Sequence, residues 1–215
     1  MTIATYDDLK NAIATWAARE GDAQVAGNAA DFVRLGESRL NRILPLRVSH
    51  VNVALTGTPS SRSLALPADF VEPVALFLTT FGVQTMLKPQ VAGTFAYGTT
   101  PGIPSAWCIN GEAIDLDVPC DRAHTFSFRY RKSFTLSVAA PANWLLTNHP
   151  DCYLAAAMVE YFLFAMNEER AAVWQQRLNV AVEEIAGKDA RGLAAATLAV
   201  DPALAAPEGF AIVSG

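Results

Sequence analysis

His149, Asp151, Cys152 and Tyr153 fall within five positions of one another, in the run NHPDCY. A thiol, an imidazole and a carboxylate are the parts of a nucleophilic centre, in which the imidazole takes the thiol proton and the carboxylate orients the ring. The same run also has the form of a helix start. Proline is favoured in the first helical turn, where its missing N–H costs nothing, so Pro150 opens a helix. Asp151 then sits where the helix dipole favours negative charge, and Thr147, Asn148 or His149 can cap. Cys152 leads an apolar run, and burial raises a thiol's pKa and makes it inert. The helix start is the reading we carry forward. A cysteine hydrolase using Cys152 or Cys108 with His149 or His124 is the enzymatic alternative.

The other polar groupings offer less chemistry. His50, His124 and His149 are far apart and lack the paired spacing of metal ligands, so no metal and no cofactor is expected. Neither GxxxxGK[ST] nor GxGxxG occurs, and GTTPGIP has the prolines of a rigid loop rather than the glycines of a phosphate cradle. Asp115 and Asp117 alternate on one strand face, where a solvated pair is expected. RYRK (residues 129–132) interleaves basic and aromatic residues as nucleic-acid-binding sheets do, but its aromatic residues are expected to face a core. HPD also occurs in J-domain co-chaperones, but the basic helix that flanks it there is missing. Arg34, Arg39, Arg42 and Arg47 make one helical segment locally basic, either solvated charge or a candidate contact face for an acidic neighbour or DNA.

The whole chain sets the frame for these groups. Its 215 residues are 52% hydrophobic and only 17% charged, with a net charge of −5. So apolar a composition predicts surface that other chains cover, and the negative balance argues against a general nucleic-acid binder. Three cysteines without regular spacing make no disulfide framework and fit a reducing compartment. The start MTIATYDDLK has no basic segment followed by an apolar one, so no signal peptide is expected. The longest apolar run, 152–166, is shorter than the about 20 residues a spanning helix needs. The chain is expected to be soluble and made in the cytoplasm.

The elements that position these groups follow from periodicity. Thr5 caps a helix with Asp7 and Asp8 in its first turn, and Tyr6, Leu9, Ile13 and Trp16 recur at spacings of three and four. A second helix is predicted from about Asn28 to Leu44, ended by Pro45. From about 48 to 137 the character changes to short β runs: VNVAL, SLALP, FVEPVALFLTT, AIDLDV and HTFSFRY, separated by turn residues. In the last of these Phe126, Phe128 and Tyr130 share one face, and Ser127, Arg129 and Arg131 the other. A small antiparallel sheet, mostly a meander, is predicted, with the loop AYGTTPGIPS projecting from it. Helices return from Pro150 to about Met166 and again along the stripe Trp174, Leu178, Ala181 and Ile185. Residues 151–189 carry seven acids against three bases, so most of the chain's net negative charge sits there.

The predicted class is α+β. Helices from 1–47 and 138–190 form one bundle, a small antiparallel β-sheet region (48–137) is inserted between them, and an extended C-terminal arm covers 191–215. The arm, GLAAATLAVDPALAAPEGFAIVSG from Gly192, is Ala-rich and interrupted by Pro202 and Pro207. Leu204, Phe210, Ile212 and Val213 are its apolar anchors, expected to pin it against its own body or a neighbour.

Four stretches in their order carry a resemblance: ESRLNRILPLR, LALPADFVEPVALFL, NWLLTNHPDCYLAAAMVEY and NEERAAVWQQRLNVAVEEI. The pattern over residues 3–190 resembles the head-to-tail adaptor proteins of tailed bacteriophages, of the type found beneath the portal in short-tailed phages. LPADF (66–70) and WLLTNHPDCY (144–153) are its most distinctive pieces. The resemblance implies a structural virion protein at the head–tail junction, with no catalytic residues. It implies a ring of identical subunits, usually twelve-fold, docked on the portal protein, bound by a tail or nozzle protein below, and passing double-stranded DNA without specificity or membrane insertion. In that setting Glu183 and Glu184 are candidate channel-facing acids, Arg34, Arg39 and Arg42 a candidate basic face, and the arm anchors a candidate portal or neighbour contact. A stopper or tail-tube component is the alternative within the virion.

Overall fold

A computed structural model describes residues 2–44, 47–80 and 82–198. Among the described residues five α-helices form the frame: α1 (Tyr6–Trp16), α2 (Ala23–Ile43), α3 (Trp144–Asn148), α4 (Pro150–Phe164) and α5 (Glu168–Leu198). α1 begins in a reciprocal cap. Thr5 Oγ1 accepts from the Asp8 N–H at 3.2 Å, and the Asp8 carboxylate accepts from the Thr5 N–H at 3.0 Å, so two N-terminal donors are satisfied at once. α2 starts five residues earlier than its apolar pattern suggests. Asp22 caps it by accepting from the Gln24 N–H at 2.9 Å, and Val25 and Ala29 extend the buried stripe through a stretch that Gly27 obscures.

Helices from both ends of the chain share one core, built from Leu9 and Ile13, Phe32, Val33 and Leu40, Leu145 and Leu146, nearly all of α4, and Leu178 and Ile185. α4 is the centre of the bundle and is buried from Cys152 to Val159 without interruption. A helix apolar all round needs partners on every side. α1, α2 and α5 supply them, and α2 approaches closely because Gly36 has no side chain: a Cβ there would stand 3.1 Å from the Ala157 nitrogen and 3.2 Å from the Ala156 carbonyl carbon.

The eight strands among the described residues are β1 (His50–Thr56), β2 (Ser63–Ala65), β3 (Phe70–Thr80), β4 (Val83–Met86), β5 (Lys88–Pro89), β6 (Ala106–Asn110), β7 (Ala113–Leu116) and β8 (Thr125–Lys132). The expected single meander is corrected here. There are two four-stranded sheets, ordered β1-β8-β3-β4 and β2-β7-β6-β5, and β5 runs parallel to β6. The last strand lies between the first and third because Phe126, Phe128 and Tyr130 are the residues that fill the space between the sheets. They meet Leu76 and Leu78 of their own sheet and Leu64, Trp107, Ile114 and Leu116 of the other, in a second core separate from the bundle's. The loop expected to project is laid on this module instead: the Gly98 and Gly102 N–H groups donate to the Asp117 and Pro119 carbonyls at 2.7 and 2.8 Å.

Bundle and β module meet through Asn41, near the end of α2. Its side-chain amide donates to the Phe134 carbonyl at 2.9 Å, and its side-chain oxygen accepts from the Phe134 N–H at 2.7 Å. Arg131 adds a bond to the Asn41 carbonyl at 3.1 Å while pairing with Glu72 at 3.1 Å. The arm boundary is also corrected: α5 continues to Leu198, past the residues expected to begin the arm, since Ala, Leu and Thr from 193 to 198 hold no proline to stop it. Leu204, Phe210, Ile212 and Val213 lie outside the described residues.

Candidate interaction surfaces

The NHPDCY run is a helix start. His149 holds the N-cap position of α4 through its backbone, its carbonyl accepting from the Cys152 N–H at 3.2 Å, with no cap bond from its side chain. The ring packs against Trp144, centroids 5.5 Å apart. Thr147 and Asn148 do not cap α4; they bond back to the Asn143 and Trp144 carbonyls, and Asn143 caps α3 through the Leu146 N–H at 2.9 Å. Cys152 is 0% exposed, and burial, with the Asp151 charge adding to it, pushes its thiol up to about 12. A thiol in that state supplies almost no thiolate at neutral pH. Cys108 and Cys120 are also buried, with their pKa values raised by burial.

Tyr153 carries the most elaborate polar chemistry of the run. Its hydroxyl accepts from the Asn143 side-chain amide at 2.7 Å and donates to Glu37 Oε1 at 3.1 Å. Glu37 is 6% exposed, and desolvation pushes its carboxyl up to about 7, against the lowering effect of the Tyr153 hydroxyl and the Leu136 N–H. Burial and the nearby Glu37 charge push the Tyr153 phenol upward in turn. The three side chains tie α2, the residue before α3, and α4 together in the bundle core. Glu37 had a visible signal: it falls on the apolar stripe of Val33 and Leu40, where a carboxylate is out of place.

The charged residues singled out in the sequence divide. Arg39 is turned into the bundle, giving Glu160 bonds of 3.0 and 2.6 Å and Gln175 one of 3.2 Å. It cross-links α2, α4 and α5, and the basic face on this helix reduces to the exposed Arg34 and Arg42. Glu183 and Glu184 are exposed on α5. Asp115 and Asp117 are structural acceptors. Asp115 receives the Tyr97 hydroxyl and the Asn110 amide, both at 2.9 Å, and Asp117 holds Ser105 at 2.6 Å. His124 is buried and meets Asp121 at 2.6 Å. Among the described residues no group of His, Cys, Asp and Glu could hold a metal ion, and no helix is long and apolar enough to cross a membrane.

What the molecule does expose is apolar surface. Trp16, expected on the buried stripe of α1, is 52% exposed and packs edge-on against Trp174, centroids 5.6 Å apart. The two tryptophans wall a groove of about 520 Å³ between the end of α1, the start of α4 and α5, floored by Leu154, Ala155 and Ala181. Val173 and Val180 line its outer side, seven residues and two turns apart. A second apolar area lies at the α4–α5 turn, where Leu163, Phe164 and the 92%-exposed Met166 meet solvent. Side chains of this kind, clustered rather than scattered, mark surfaces made for other proteins.

Residues 4–201 match the family model described as SU10 adaptor protein. The chain belongs to that family. The match takes in every described helix and strand, from α1 to the end of α5, and it makes the protein a phage head–tail adaptor with a structural role in the virion. For an adaptor, the absorption of His149, Cys152, Glu37 and Arg39 into the packing of one bundle is functionally coherent: the chemistry-bearing residues hold the shape, and the exposed apolar faces are left for partners. No curated protein matches the chain.

Proposed function

We propose that this adaptor docks beneath the portal of a short-tailed phage head as a ring of identical subunits, extends the channel through which DNA leaves, and presents the attachment surface for tail proteins. Membership of the adaptor family, over residues 4–201, carries the reading. Two physical features support it. The exposed apolar faces around Trp16 and Met166 are of the kind that neighbours bury. The acids concentrated on 151–189, with Glu183 and Glu184 exposed, suit a surface along which DNA slides, since like charge gives phosphates nothing to bind. Arg34 and Arg42 form the basic face offered to an acidic neighbour. Segment 199–215, with Leu204, Phe210, Ile212 and Val213, adds area on the portal or on the adjacent subunit.

The test is co-sedimentation of the purified chain with DNA-filled, tail-less heads of the parent phage, counting copies per head. Saturation at one ring of copies is expected. Attachment only to heads already carrying another connector would make the protein a stopper or tail-tube component, and no attachment to either would remove the reading.

A further inference from the structure

Glu37 is a buried carboxylate to which the described residues bring no cation. It accepts from two neutral donors, the Tyr153 hydroxyl and the Leu136 N–H. Glu160, half-buried on α4, is answered instead by Arg39 at 2.6 Å. Glu37 is also not sealed in. It lines a pocket of about 420 Å³ between α1, α2 and the connection from β8 to α3, a size that admits one long side chain or a small ligand. Ala30, Arg34 and Glu37 recur four and three positions apart, so one face of α2 forms a side of the pocket. Tyr6, Val33 and Leu136 give it apolar walls, while Asp31 and Arg34 are exposed at its mouth. We infer that this pocket binds a primary alkylammonium group, with the methylene stem against Tyr6, Val33 and Leu136 and the charge on the Glu37 carboxylate.

The ligand class follows from what the pocket holds and what it lacks. An ionised carboxylate offers about four lone-pair positions, and the two bonds to Glu37 leave the others for donors from outside. An ammonium fills such positions from a compact head. A guanidinium fork needs both oxygens along one edge, and Oε1 is already engaged by Tyr153. An apolar sleeve suits a methylene stem, which buries while its head stays charged. The charges favour a cation as well, since the pocket sets Asp31 and Glu37 against Arg34. The position also breaks the pattern of its helix. A carboxylate on the stripe of Val33 and Leu40 weakens the bundle whenever it ionises, and residues that break a local rule and lower stability are expected at functional sites. Occupancy supplies the missing counter-charge and ties α1, α2 and the residues before α3 to one ligand.

The experiment is isothermal titration of the full chain at pH 8, above the value of about 7 at which the buried carboxyl titrates. The ligands are Nα-acetyl-lysine methylamide and its norleucine analogue, which keeps the stem and lacks the charge. The lysine compound is expected to bind at least tenfold more tightly than the norleucine compound. Glu37→Gln, which keeps an acceptor for Tyr153 and so keeps the fold, is expected to abolish that preference. Ala30→Trp, an exposed change on the lining face of α2, is expected to block binding without moving the unfolding midpoint. Spermidine separates the two sources of such a group. Binding tighter than that of the lysine compound assigns the pocket to a free polyamine, and weaker binding assigns it to a lysine side chain of a docking protein. Equal affinity for the lysine and norleucine compounds overturns the proposal, as does a preference that survives Glu37→Gln. Absence of binding by either amine up to about 50 mM overturns it too. None of these readings involves heads, so the pocket and the adaptor function fail separately.

Discussion

Glu37 gives the bundle a pH dependence whose sign and size follow from its surroundings. The carboxyl is 6% exposed and titrates at about 7 in the folded chain, against 4.5 for an unperturbed glutamate, because burial penalises its charge. Below pH 4.5 the group is protonated both folded and unfolded, and its contribution is unaffected. Between 4.5 and 7 the unfolded chain releases the proton and the folded chain keeps it, so stability falls as pH rises. Above 7 the full penalty is present, about 3 kcal/mol at 1.36 kcal/mol per pKa unit. Glu37→Gln removes the charge and retains an oxygen to accept from Tyr153. Urea unfolding of the two proteins from pH 4.5 to 8.5 is the assay, since all other titrations cancel in the difference. The variant is expected to gain about 3 kcal/mol on the wild type between pH 4.5 and pH 8.5, a relative Tm rise of about 6–12 °C for a chain of this length. Parallel stability curves would show that Glu37 is not held neutral, and the assignment of its proton would be wrong.

Three further expectations test the packing. Gly36→Val places a branched side chain where even a Cβ stands 3.1 Å from α4 backbone, and should cost about 1–3 kcal/mol in urea unfolding; an unchanged midpoint would mean that α2 and α4 are not in contact there. Arg39→Ala strands Glu160 in the bundle and should cost about 2 kcal/mol, and adding Glu160→Gln should recover part of it; additive losses would show that the pair is not coupled. Thiol labelling at pH 7.5 should be slow for the native chain and reach all three cysteines in 6 M urea; fast labelling of Cys152 in the native chain would revive the nucleophile.

The sequence exposed most of the helical frame, because a start signal such as Thr5 or Pro150 and a stripe such as Leu178, Ala181 and Ile185 are local signals. It was weaker wherever pairing is non-local. Each β run could be recognised, but nothing in HTFSFRY says that β8 lies between β1 and β3, since that depends on which aromatic faces meet across the two sheets. Arg39 looked solvated because its partner Glu160 is 121 positions away. Trp16 looked buried because periodicity reports a face and not where the neighbouring helices end. The groove it walls is legible only once α1, α4 and α5 are placed together.

α5 has a consequence for how the chain beyond it is aimed. Ile185 is the last core residue of α5 among those whose burial is described, the helix runs on to Leu198, and a rigid helix advances 100° for every residue. The direction in which α5 ends at Leu198 is therefore set by an angular phase. Removing one residue between 186 and 197 would swing it by about 100°. Removing seven would draw it in by about 10 Å while leaving its bearing nearly unchanged. The length of the helix past Ile185 works as an index, and a series of deletions would show whether attachment to heads depends on its distance or its angle.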